Sequence, residues 1–170
     1  MKNLATPALM MCLVLVSVSH HANAGTFDAG LGLGFAESLD SDGFEGGWDF
    51  LAGYEIDQTA GWNIGTQVHV IRGWTDKSKA NYDTNMSFNS TALYVTARPQ
   101  NWWLQFKGGL VTADYISQQL EGHGTGFAAG AGIVIGEEDL RLHLLDVHRF
   151  FIDGHSFNIY SISLTVLFGR

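Results

Sequence analysis

Cysteine occurs once in the 170 residues, at Cys12, and proline only twice. Everything after residue 12 therefore lacks a disulfide framework, a thiol nucleophile and a thiolate metal site. Two prolines leave no Pro-rich linker. Positive charge is also scarce: 9 Lys and Arg stand against 17 Asp and Glu, a formal net charge of −8. Nucleic-acid binding needs basic patches that neutralise phosphate, so this balance argues against it. Beyond the first 24 residues no segment sustains a 3.6-residue apolar period or carries the signals that start a helix.

What is present begins with "MKNLATPALMMCLVLVSVSHHANA", residues 1–24. One early charge, Lys2, precedes an apolar stretch from about Ala8 to Val18, and the segment closes on Ala22-Asn23-Ala24. A charged start, a short apolar core and a small-x-small site predict a secretory signal peptide. The apolar run is well short of the roughly 20 residues that cross a bilayer as a helix. "LMMC" is not read as a lipidation box, because Met11 is too bulky and Cys12 would lie inside the apolar core. Removing the segment leaves one domain, residues 25–170. Without Lys2 it holds 8 Lys and Arg against 17 Asp and Glu, a charge of −9.

In this domain period 2 takes the place of helical periodicity. "FDAGLGLGFA" sets Phe27, Ala29, Leu31, Leu33 and Phe35 against Asp28 and three glycines. "WDFLAGYEI", "WNIGTQVHV", "LYVTAR", "WWLQFKGGL", "GFAAGAGIVI" and "LRLHLLDVH" alternate in the same way, and the C-terminal "YSISLTVLFGR" is the most regular of all. In "LRLHLLDVH", Asp146 and His148 fall out of phase with Arg141 and His143, which predicts a bulge near Leu145. Strict alternation is the signature of half-buried strands, and eight such stretches predict an all-β chain.

The connections alternate as well. Those after the first, third, fifth and seventh stretches read as long and polar ("ESLDSDGFEG", "GWTDKSKANYDTN", "DYISQQLEGHG", "RFFIDGHS"). Those after the second, fourth and sixth are short ("DQTAG", "PQN", "GEED"). An antiparallel up-and-down meander gathers alternate connections at one end, and short turns opposite longer loops typify outer-membrane barrels. Trp48, Tyr54, Trp62, Trp74, Trp102, Phe127, Tyr160 and Phe168 fall near the expected strand ends, where aromatic rings sit at the headgroup level.

The second face of the strands settles which side faces outward. It carries Asp28, Asp49, Glu55, His69, Arg98, Lys107, Arg141 and His143, interleaved with glycine. Glycine weakens a solvent-facing strand, but inside a narrow eight-stranded barrel it makes room for other side chains. These eight residues are therefore expected to form a polar network in the lumen. The apolar face then meets lipid, where a closed barrel satisfies every backbone hydrogen bond.

With these features the chain resembles the small eight-stranded outer-membrane β-barrels of the OmpA/OmpX-like superfamily. The resemblance spans residues 25–170 and rests on architecture. It implies an eight-stranded antiparallel up-and-down transmembrane β-barrel in the outer membrane of a Gram-negative bacterium. It also implies a monomer in contact with lipid and lipopolysaccharide, whose last strand, with Tyr160, Ile162, Leu164, Val166 and Phe168 alternating, resembles the signal read by the assembly machinery. That signal ordinarily ends on the aromatic, whereas Gly169-Arg170 follow Phe168 here.

The expected function is a structural or surface-interaction role displayed by four longer extracellular loops. Two alternatives stand beside it. The lipid A 3-O-deacylases look similar in size and use a lipid-facing Ser, His and acid; the candidates here are His148, Ser161 and Asp146. A narrow pore would be lined by Lys107, Arg98 and Asp49. No catalytic residue, metal or cofactor is assigned; His123, His148 and His155, with Asp146 and Asp153, are a weak metal constellation at the rim. Asp40, Asp42 and Glu45 suit Ca²⁺ by chemistry and equally suit a solvated loop.

Overall fold

A computed structural model describes residues 25–41, 43–59, 61–75, 86–117, 120–136 and 140–168, with residues 57–59 in backbone only. The N-terminal segment, Asp42, most of the connection at 76–85 and Gly169-Arg170 lie outside the described residues.

Eight strands form, β1 (Thr26–Ser38), β2 (Phe44–Thr59), β3 (Trp62–Gly73), β4 (Ser87–Pro99), β5 (Leu104–Ile116), β6 (Glu121–Ile135), β7 (Leu140–Ile152) and β8 (His155–Phe168). Each pairs antiparallel with its sequence neighbours, and β1 pairs with β8 from Phe27↔Phe168 to Ser38↔Phe157, closing the barrel. The fold is thus an all-antiparallel eight-stranded barrel. Closure leaves no edge strand, so no row of unpaired N–H and C=O groups faces outward.

The alternation sets the two faces. On β8, Ser161, Ser163 and Thr165 are buried while Ile162, Leu164 and Val166 between them are exposed. The other strands follow suit: Leu31, Phe50, Leu110, Phe127 and Leu140 point out, and Asp28, Asp49, Gln67, Gln105, Lys107 and Arg141 point in. The phase break in β7 is a bulge. The β7–β8 register shifts between His143 and Asp146, the β6–β7 register shifts beside it, and Leu145 takes a positive φ of 50°. The extra residue returns Asp146 and His148 to the inner face, where Arg141 and His143 already lie.

The connections differ from expectation. The one from Trp74 to Met86 is long, but β5 and β6 are separated only by residues 117–120 and β7 and β8 only by Asp153-Gly154. Asp153 and Gly154 have φ of 50° and 83°, the paired positive values of a tight type I′ hairpin turn. The four-longer-loops reading is therefore corrected: "DYISQQLEGHG" and "RFFIDGHS" are mostly strand. Their polar residues, such as Asp114, His123 and Arg149, stand on the outer face of strands that run on beyond the apolar band. For the same reason Phe127 lies well inside β6, not near its end.

Candidate functional site

Among the described residues the buried titratable side chains gather in the interior, and it is layered. At the end that carries the 74–86 connection, the loop end, the filling is apolar. Phe88, Phe150 and Phe157 pack with Tyr115, ring centroids 4.9–6.3 Å apart, against Ala36, Ile71, Met86 and Ile152. The sequence reading places polar residues and glycine in the lumen; its loop half is instead a mainly apolar core, in which Glu45 is also buried rather than standing in a solvated loop and accepts from Thr75 N at 2.7 Å.

Below this plug the chemistry changes abruptly. Asp49 on β2 faces His69 on β3, Oδ1 to Nδ1 3.3 Å. His69 Nε2 lies 3.0 Å from Gln67 Oε1 and 3.2 Å from Lys107 Nζ on β5. The Lys107 ammonium in turn donates to Asp146 Oδ2 on β7. The His148 ring packs edge-on to His69 and tilted against Tyr94, centroids 5.0 and 5.1 Å away, with Nε2 3.5 Å from Asp146 Oδ1. Nearer the turn end, Asp28 Oδ2 sits 3.4 Å from His143 Nε2 and accepts from Thr165 Oγ1 at 3.4 Å. Glu55 accepts from Arg141 at 3.0 Å, from Arg98 at 3.2 and 3.3 Å and from Asn63 at 3.4 Å.

The inner face thus brings together all eight residues expected to share the lumen, and adds Asp146 and His148. Glycines create the space. A Cβ at Gly53 would run into the Asp28 carboxylate, and one at Gly132 into that of Asp146. Removing such charges from water is costly unless each finds a partner, and breaking one pair leaves the other charge stranded. The layer is nevertheless not fully satisfied. Both oxygens of Asp49, Asp146 Oδ1, His69 Nδ1 and both ring nitrogens of His148 have no hydrogen bond among the described residues.

Two expectations fail on this geometry. His148, Ser161 and Asp146 do lie near one another, Asp146 opposite Ser161 in register, but all three are at most 5 % exposed on the inner face. A lipid A hydrolase needs its nucleophile and base on the outer face, so the deacylase reading of these residues does not hold. The bulge is the physical reason, since it turns Asp146 and His148 inward. The pore reading meets the plug. The side chains of Lys107 and Asp49 are 0 % exposed, and the polar layer they belong to ends at Tyr94, Phe88 and Phe150. The rim metal constellation does not assemble either. His123 points outward onto Asp114 at 2.5 Å, and His155 lies 3.6 Å from Asp40 at the loop end, while His148 is in the central lumen.

On the outer face Trp48, Trp62, Trp74, Trp102, Phe127 and Phe168 are exposed, with Tyr54 and Tyr160 half-buried among their neighbours. Trp48 and Trp74 meet edge to face at the loop end, whereas Trp62, Trp102 and Phe168 lie at the turn end. Sequence reading missed a second outer feature, a polar belt above the apolar band. Arg72, Asn89, Asp114 and His123 are consecutive cross-strand partners over β3–β6. Arg149, Asn158 and Glu37 continue the pattern over β7, β8 and β1, joined by bonds of 3.1 and 3.4 Å. The available signal was a polar residue in phase with the outward apolar ones, such as Glu37 two after Phe35.

No family model matches the chain, and no curated protein is detectably similar in sequence. Solved structures are similar in fold. The attachment invasion locus protein Ail of Yersinia pestis aligns with a TM-score of 0.53 at 13 % identity, over 86 % of this chain and 99 % of that one. Neisserial surface protein A aligns with a TM-score of 0.51 at 11 % identity, again over 86 % and 99 %. The chain thus has the fold of the small eight-stranded outer-membrane barrels.

Proposed function

We propose that residues 25–170 form an integral outer-membrane barrel of a Gram-negative bacterium, exported by the N-terminal segment and acting as a monomer in a structural or surface-interaction role. One observation carries the reading: the barrel buries its charges and exposes an apolar band. Asp28, Asp49, Glu55, Lys107, Arg141 and Asp146 are buried within it, while Leu31, Phe50, Leu110, Ile162 and Leu164 form an exposed outer band. In water that band would be an aggregation surface; in hydrocarbon it is solvated.

The polar belt marks where the band meets the outer headgroups. Arg72, Arg149 and His123 there suit contact with lipopolysaccharide phosphate, and the Trp48–Trp74 pair suits the girdle beside it. The regular outward face of β8 is the surface offered to the assembly machinery. Contact with other molecules falls to the loop end, above all the β1–β2 and β3–β4 connections with Leu39, Asp40 and Trp74 at their bases.

Fractionation followed by gels of unboiled and boiled samples tests this. A heat-dependent mobility shift in the outer-membrane fraction is the expected result. A periplasmic protein without a shift overturns the reading.

A further inference from the structure

The centre of the lumen holds more donors than its own cation uses. His69, Asp146 and His148 each offer one ligand atom, and these atoms lie within 4.8 Å of one another. All three side chains are at most 2 % exposed. Two of them are also under-used: Asp146 Oδ1 and both His148 nitrogens find no hydrogen bond among the described residues. We propose that these three residues form a buried binding site for a borderline divalent transition metal of the zinc class, for which the Lys107 ammonium competes.

The chemistry of the donors points to such a metal. Two imidazoles and a carboxylate suit Zn²⁺ or Co²⁺, whereas Ca²⁺ and Mg²⁺ prefer all-oxygen shells. Ligands to a tetrahedral ion at about 2.0–2.2 Å stand about 3.5 Å apart, so the trio has to contract modestly. The surroundings also fit. Asp49 Oδ1 lies 3.3 Å from His69 Nδ1, which leaves Nε2 facing the site. A carboxylate behind the distal nitrogen of a metal-bound histidine is the usual supporting arrangement, fixing the ring and raising its basicity. A ligating His69 would give up its contact with Gln67.

Lys107 is the resident competitor for these donors. Its Nζ is 3.2 Å from His69 Nε2 and against Asp146 Oδ2, between two of the three proposed ligands. The ammonium thus lies beside the site that a metal would take, in contact with two of its three ligands. A metal and the ammonium cannot share it, since two cations a few ångströms apart in this dry layer repel strongly. Access is from the turn end, where the lining is polar around Glu55, Arg98 and Arg141, and not through the plug of Phe88, Phe150 and Phe157.

Co²⁺ is the probe, because its visible bands report a tetrahedral site, and Zn²⁺ then competes it away. The protein is the mature barrel in detergent, with the heat-dependent gel shift as proof of folding for every variant. Wild type is expected to take up one Co²⁺ with tetrahedral bands. Lys107→Met is expected to bind more than about tenfold tighter, because it removes a unit charge beside the ion. His148→Phe, which keeps a ring among Tyr94, Phe150 and His69, and Asp146→Asn are expected to lose the bands. His123→Ala, on the outer face, leaves them unchanged. A folded wild type without tetrahedral Co²⁺ overturns the site, as does binding that survives His148→Phe. Equal affinity in wild type and Lys107→Met overturns the competition.

Discussion

The two halves of the lumen are built on the same strands and solve the same problem, filling a narrow barrel, by opposite means. Towards the loop end, Phe88, Phe150, Phe157 and Ile159 interdigitate with no polar partner needed. Towards the turn end, four carboxylates (Asp28, Asp49, Glu55, Asp146) meet Lys107, Arg98, Arg141 and three histidines. The first arrangement depends on volume and the second on pairing. The plug therefore gains from dispersion and tolerates exchange of shape-compatible side chains. The charged layer fixes register, because each ion's partner sits on a different strand: Lys107 on β5 with Asp146 on β7, Glu55 on β2 with Arg98 on β4 and Arg141 on β7.

Adding a second extra residue to β7 breaks this comparison most completely. One alanine inserted between Val147 and His148 puts either His148 and Phe150 or Arg141, His143 and Asp146 on the outer face, because a one-residue slip exchanges the two faces. The expected outcome is no heat-modifiable species at all, read on gels of the refolded protein. Removing Leu145, by contrast, restores strict alternation, with His143 in, Leu144 out and Asp146 in, and should leave a folded barrel. A folded barrel from the insertion would mean that β7 absorbs a second bulge.

Isosteric exchange separates the halves next. Asp146→Asn keeps the shape but strands the Lys107 ammonium, and should cost about 3–5 kcal/mol in denaturant unfolding. Ile159→Leu, fully buried in the plug, should cost less than about 1.5 kcal/mol. Lys107→Met with Asp146→Leu should regain most of the loss, since a buried pair replaced whole by apolar groups is often neutral. Equal costs for the two single changes would mean that the layers do not differ in kind.

Legibility in the sequence follows the same division. Where one face is polar and the other apolar, as in "YSISLTVLFGR" or "LRLHLLDVH", period 2 exposes the strand, its facing and even the bulge. The plug is hidden because there both faces are apolar. Phe150 points in and Phe151 out, Tyr115 in and Ile116 out, so no alternation marks the strand. The belt is hidden for the converse reason. Asp114, His123 and Arg149 are polar on the outer face, so they read as loop and shorten the expected strands. Sequence shows which residues share a face but not how they meet across it, so the pairing of Lys107 with Asp146 required the closed barrel.

Glycine gives the finest contrast between the halves, because one substitution should change sign between them. At Gly132 an added Cβ meets the carboxylate of Asp146 and the Asp146 backbone at 3.1 Å, so Gly132→Ala must displace the charge from its partner. A cost of about 1–3 kcal/mol is expected, the range for overpacking. Gly34 also faces inward, where the layers meet. A Cβ there stands 3.6 Å from Asp49 Cβ and 3.7 Å from the Ile71 side chain, which is ordinary van der Waals contact. Gly34→Ala therefore adds packing and removes the entropic penalty of a strand glycine, and should stabilise by about 0.5–1 kcal/mol in the same unfolding measurement. If Gly34→Ala destabilises as much as Gly132→Ala, every inward glycine is filling a space that nothing else fits. If the signs differ, the need for glycine is local, set at Gly132 by the carboxylate that lies against it and absent at Gly34.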